Sequence, residues 1–102
     1  MNHRSIAAAL LLGIAPVAAA LAQNTAPGRN LASACANCHG TDGRALEGFP
    51  ALSGMEPARF TQTMSEFKTG TRAATVMHQI AKGYTDQQIR RLAEYFSQQT
   101  AK

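Results

Sequence analysis

Residues 35–39 read Cys35-Ala36-Asn37-Cys38-His39, and the reading of this pentapeptide decides the fold. Cys-x-x-Cys-His is the pattern of c-type haem attachment. Two thiols one helical turn apart can each add to a vinyl group on the same porphyrin edge. The histidine that follows then lies under the iron and can donate a ring nitrogen. Thioether bonds do not dissociate, so the haem stays in place and doubles as core. Two other chemistries use similar spacings. A thioredoxin-like redox pair follows a strand in a βαβ unit, and no stretch of this chain alternates like a strand. A zinc site needs four ligands, and Cys35, Cys38, His39 and His78 make a poor set.

Upstream of the motif, residues 1–22 have the layout of a cleaved secretory signal. His3 and Arg4 form a short basic start, Ile6 to Leu12 is an unbroken apolar run, and Ala20-Leu21-Ala22 offers a small-x-small cleavage site. Pro16 interrupts the stretch, which is short for a spanning helix of ~20 residues. The expected location is therefore the periplasm, with residues 23–102 as one mature domain that does not span a membrane. Arg4 is the one charge lost with the leader, so the net charge falls from +4 to +3. The basic residues are scattered, without interleaved aromatics, which argues against nucleic acid as a partner. Eighty residues with no Trp, four Phe and two Tyr make a marginal core, and domains this small need a staple. A disulfide between cysteines three positions apart closes too small a loop to help. A buried porphyrin would serve.

The rest of the chain reads as helices and loops. The sequence predicts a first helix over about Arg29 to Ala36, with Leu31, Ala32 and Ala34 on its apolar and small faces. Cys38 to Glu56, rich in Gly, Pro, Ser and Asp, reads as a long ordered loop, and such a loop in a compact domain implies that it wraps something. Pro57 suits the first turn of a second helix in which Phe60, Met64 and Phe67 recur at helical spacing before Gly70. A short helix over about Thr75 to Lys82 precedes Gly83. In the last helix Thr85 and Gln88 form a capping box, and Ile89, Leu92, Ala93 and Phe96 make the apolar stripe.

The sixth iron ligand decides the function class, because a haem with two protein ligands is normally an electron carrier. Met55, Met64, Met77 and His78 are the candidates in the mature chain. Met64 shares a face with Phe60 and Phe67 and reads as core, Met55 lies too close to the loop, and His78 reads as exposed. Met77, 38 residues beyond His39 and followed by Ile80 on the same side, is the leading candidate.

Residues 23–102 resemble class I cytochromes c over nearly their full length. The resemblance rests on Cys-x-x-Cys-His-Gly at 35–40, on Pro50-Ala51-Leu52-Ser53-Gly54, on the run from Met77 to Asp86, and on Leu92-Ala93-Glu94-Tyr95-Phe96. It implies an all-α fold of three to four short helices around one covalently bound haem c, with His39 and Met77 as axial ligands. It also implies that the Pro50 carbonyl accepts a hydrogen bond from the His39 ring, and that Gly28 and Leu31 pack the first helix against Leu92 and Tyr95–Phe96. Within this class, Glu66–Gly70 and Thr75–Tyr84 are similar to the cytochrome subunit of flavocytochrome c sulfide dehydrogenase. There a flavoprotein oxidises sulfide and passes the electrons to the haem subunit. The best-known members carry two haem domains, whereas this chain has one motif and length for one domain. The resemblance thus implies a single-haem electron carrier, not an enzyme. A partner would dock over an exposed haem edge, and Arg44, Arg72 and Lys82 are candidates for its rim, with a solvated surface charge as the other reading of each. The other readings are a generic carrier to a terminal oxidase or other acceptor, and a haem enzyme or gas-binding protein with an open sixth site.

Overall fold

The computed structural model describes residues 11–13 and 27–101, so the expected signal segment, residues 1–22, lies, except for 11–13, outside the described residues. Among the described residues every regular element is helical, as the sequence predicts. Helix α1 occupies residues 27–32. It tightens into a 3-10 turn at Ser33–Cys35 and relaxes into α2, Ala36–His39. Ala32 and Cys35 keep right-handed helical angles at both junctions. The first helical segment is therefore longer than the expected 29–36, and it carries the whole pentapeptide. The ladder continues to Gly40, whose N–H reaches the Ala36 carbonyl at 3.1 Å before its φ of 80° ends the helix. Cys38 and His39 thus leave the expected loop, which shortens to 40–56 and includes a 3-10 turn at Thr41–Gly43.

Helix α3, Pro57–Thr69, starts as its sequence dictates. The Glu56 carboxylate accepts the Ala58 and Arg59 N–H groups at 3.1 and 2.9 Å, with Pro57 in the first turn. Phe60 and Met64 form its buried face, and Gly70 in the left-handed region closes it. Helix α4, Met77–Lys82, begins two residues later than expected, because Val76 has a non-helical φ of −132° and no side chain caps the turn. Helix α5, Asp86–Ser97, carries the complete capping box: Gln88 N–H to Thr85 Oγ1 at 3.1 Å and Thr85 N–H to Gln88 Oε1 at 2.9 Å. Such a cap contributes about 1 kcal/mol.

The core is built on α5, where Ile89, Leu92, Ala93, Tyr95 and Phe96 are all buried. Phe96 stacks on Phe60 of α3 with ring centroids 5.6 Å apart, and Tyr95 meets it edge-on at 5.3 Å. Helix α1 crosses α5 at Gly28. A Cβ there would lie 2.9 Å from the Arg91 carbonyl oxygen and 3.0 Å from Tyr95 Cβ, so only glycine permits this approach. Leu31 packs against the same core. No described helix is long and apolar enough to cross a membrane.

Candidate haem site

His39, the last residue of α2, is buried. Its Nδ1 lies 2.7 Å from the Pro50 carbonyl oxygen, across the loop. A carbonyl can only accept, so Nδ1 carries the proton, and the nitrogen left to bind a metal is Nε2. A hydrogen bond of this kind fixes ring orientation and raises ligand basicity.

The loop that brings Pro50 to His39 is tied at many points. The Ala45 N–H reaches the His39 carbonyl at 2.6 Å, and the Gly43 carbonyl accepts Leu52 and Ser53 N–H groups at 2.7 and 3.0 Å. The Gly54 N–H reaches the Phe96 carbonyl at 2.8 Å, and the Tyr95 hydroxyl donates to Asp42 Oδ1 at 2.6 Å. Gly43 has a φ of 72°, and a Cβ there would lie 2.8 Å from Leu52 Cβ and 2.9 Å from the Phe96 ring. Asp42 and Ala45 also have positive φ, 54° and 78°. Left-handed backbone at residues that carry a Cβ costs energy and persists only where surroundings enforce it.

Cys35 and Cys38 are half-buried free thiols one turn apart on the segment that ends in His39. Burial pushes the Cys35 thiol up. Among the described residues, no three His, Cys, Asp or Glu side chains cluster as a metal set. Within residues 27–101 four large apolar side chains are at least two-fifths exposed: Leu46 and Phe49 in the loop, Val76 and Ile80 around Met77. Phe49 approaches the His39 ring edge-on at 6.2 Å. Paired thiols, an oriented imidazole and uncovered apolar side chains fit a covalently held porphyrin.

Met77 is the first residue of α4, half-buried and packed against the core. Met64 is core, as its spacing predicts, and Met55 packs at the core's edge. His78 departs from its expected exposure: it is half-buried, with Nδ1 shielded and without a hydrogen-bond partner. It stands in the first turn of a helix packed against α3, so burial follows from position. Of the expected rim residues, Arg44 and Lys82 are exposed. Arg72 is already engaged: its Nε lies 2.8 Å from Glu66 Oε2, and its guanidinium carbon lies 5.9 Å from the Phe67 ring centre. An open groove of about 950 Å³ between α3 and α5 is lined by none of the expected haem-site or rim residues. Asp42, Tyr95 and Lys68 escape a reading by spacing, because their partners are 53, 53 and 16 residues away in the chain.

Comparison with known proteins points to one family. The cytochrome c family model matches residues 25–100. The cytochrome subunit of sulfide dehydrogenase from Chlorobaculum tepidum is 44% identical over 69 residues, covering 68% of this chain and 63% of that protein. Cytochrome c-554(548) of Halomonas halodenitrificans is 32% identical over 82 residues, covering 76% of this chain and 99% of that protein. The solved cytochrome c4 of Acidithiobacillus ferrooxidans superposes with a TM-score of 0.63 at 36% identity, covering 74% of this chain and 48% of that one. The chain thus spans less than two thirds of the sulfide dehydrogenase subunit and about half of the cytochrome c4 chain.

Proposed function

The chain belongs to the cytochrome c family and carries a covalently bound haem c, and from this premise we propose that it is a periplasmic single-electron carrier whose iron is held by His39 and Met77. The observation that carries the reading is the His39–Pro50 bond of 2.7 Å beside the paired cysteines. The haem supplies the one-electron couple. Cys35 and Cys38 tether it as thioethers, and His39 presents Nε2 while Pro50 holds Nδ1. Met77 would supply the second protein ligand, and Leu46, Phe49, Val76 and Ile80 would offer the apolar cover that keeps water from the group. A thioether opposite a histidine raises the potential relative to two nitrogen ligands. With both iron positions filled from the chain, substrate has no place to bind, and the protein passes electrons without chemistry of its own. Arg44 and Lys82 supply the cationic rim for a redox partner.

The partner this reading favours is a sulfide-oxidising flavoprotein, supported by the identity to the sulfide dehydrogenase subunit. Residues 1–22 direct export. Two experiments test the proposal. Ferrous holoprotein mixed with carbon monoxide should keep its spectrum; rapid carbon monoxide binding would point instead to an open sixth site. A sulfide-oxidising flavoprotein with sulfide should reduce the haem far faster than sulfide alone. Equal rates would leave a generic carrier to another acceptor.

A further inference from the structure

The segment that bears Met77 is fastened to α3 at its two ends, by two residues that flank Phe67. At the upstream end, the Glu66 carbonyl accepts the Thr71 and Arg72 N–H groups at 3.0 and 3.3 Å. The Glu66 carboxylate takes Arg72 Nε at 2.8 Å. At the downstream end, Lys68 Nζ donates to the Tyr84 carbonyl at 2.8 Å and lies 3.4 Å from Asp86 Oδ1. Between these ends α4 is only six residues long and has no side-chain cap, and residues 73–76 are exposed. A helix this short has little intrinsic stability and depends on tertiary contacts. Its one deeply buried residue is Ala81, a small side chain with little area to bury. The fastenings therefore carry much of the positioning.

We propose that Glu66 and Lys68 are positioning residues that brace both ends of segment 71–84 and so set how readily Met77 leaves the iron. The inference rests on the reading of Met77 as sixth ligand. Lys68 is the stronger brace, because its side chain is about three-quarters shielded and its ammonium donates to a backbone carbonyl at the very exit of α4. A bond from a charged donor to a neutral acceptor exceeds a neutral pair in strength. Glu66 is the weaker one, since the part of its grip that mutation can remove is an exposed ion pair.

The test is stopped-flow displacement of the sixth ligand by imidazole in ferric holoprotein, with the sulfur-to-iron charge-transfer band and the melting temperature recorded alongside. Lys68→Met keeps the aliphatic stem and removes the donor; displacement should quicken by about tenfold or more, the scale of one lost charge-assisted bond. Lys68→Arg should restore most of the wild-type rate, and Glu66→Gln should quicken displacement by a smaller factor. A lower melting temperature with an unchanged displacement rate would make both residues merely structural and overturn the proposal. If Lys68→Met does not accumulate as holoprotein, Glu66→Gln decides by the same criterion. Failure of the underlying reading looks different: wild type without the band, or a band that survives Met77→Ala, removes Met77 as ligand and the braces' role with it.

Discussion

Residues 39–54, behind His39, and residues 71–84, around Met77, are of similar length but are held in opposite ways. The first is tied to α5 and to itself through the Asp42–Tyr95, Gly43–Leu52 and Gly54–Phe96 bonds, and it accepts left-handed backbone at Asp42 and Ala45 to do so. The second is a short uncapped helix between exposed flanks, fastened at its ends by Glu66 and Lys68. His39 is held by a loop cross-tied to α5, and Met77 by a short helix that packs on α3 and is fastened at its ends by a few surface-proximal bonds. Disturbing the first region should cost stability, whereas disturbing the second should change ligation while the fold survives.

The largest effect belongs to Phe96→Ala. Phe96 is 1% exposed and lies against Gly43, Phe60 and Tyr95. Its truncation should cost about 3–5 kcal/mol by denaturant titration, with loss of the His39 and Met77 environments together. A milder loss would mean that the loop is not anchored on α5. Ala81→Leu probes the other region. Ala81 is fully buried, so the added volume must push α4 away, at about 1–3 kcal/mol. Here the methionine signature should disappear while His39 ligation persists, as followed by proton NMR of the ferrous protein.

Tyr95→Phe removes the bond to Asp42 and should cost about 1 kcal/mol. Burial first, and the Asp42 bond second, push the Tyr95 phenol above its usual value of 10.0. The neutral phenol is therefore favoured by folding, so its contribution is whole below that value and is lost as pH rises through the raised one. Unfolding titrations at alkaline pH should show a shallower loss in Tyr95→Phe than in wild type. Some loss should remain, because burial also pushes the Tyr84 phenol up. The smallest effect is expected from Glu66→Gln. Hydrogen bonds from Gln62 and then Arg72 hold the Glu66 carboxyl below its usual range. Its contribution is present at neutral pH and fades as pH falls through the lowered value. The melting temperatures of wild type and variant should converge in acid; divergence there would remove Glu66 from the fastening.

The sequence carries its own signals for the elements that depend on near neighbours. Cys35, Cys38 and His39 are legible because haem chemistry needs that spacing, and Thr85 with Gln88 because a capping box is local. Phe60 and Met64 are legible from helical period. The end of the first helix is not, because Asn37, Cys38 and His39 show no apolar repeat, and the ladder to Gly40 is what carries the helix past Ala36 to His39. The start of α4 is obscured by Val76, whose side chain gives no cap signal. The Pro50 contact follows from family resemblance and not from the residue itself. Asp42–Tyr95 and Lys68–Tyr84 join residues far apart in the chain, and no periodicity or turn chemistry announces such pairs.

The central claim is that His39 and Met77 hold the iron of a haem tethered at Cys35 and Cys38. The ferric absorption spectrum of the holoprotein, recorded for wild type and Met77→Ala, tests it most directly. Wild type should show the weak long-wavelength sulfur-to-iron charge-transfer band, and Met77→Ala should lose it while the haem remains covalently attached. A wild-type spectrum without that band, or a variant that retains it, would contradict the account.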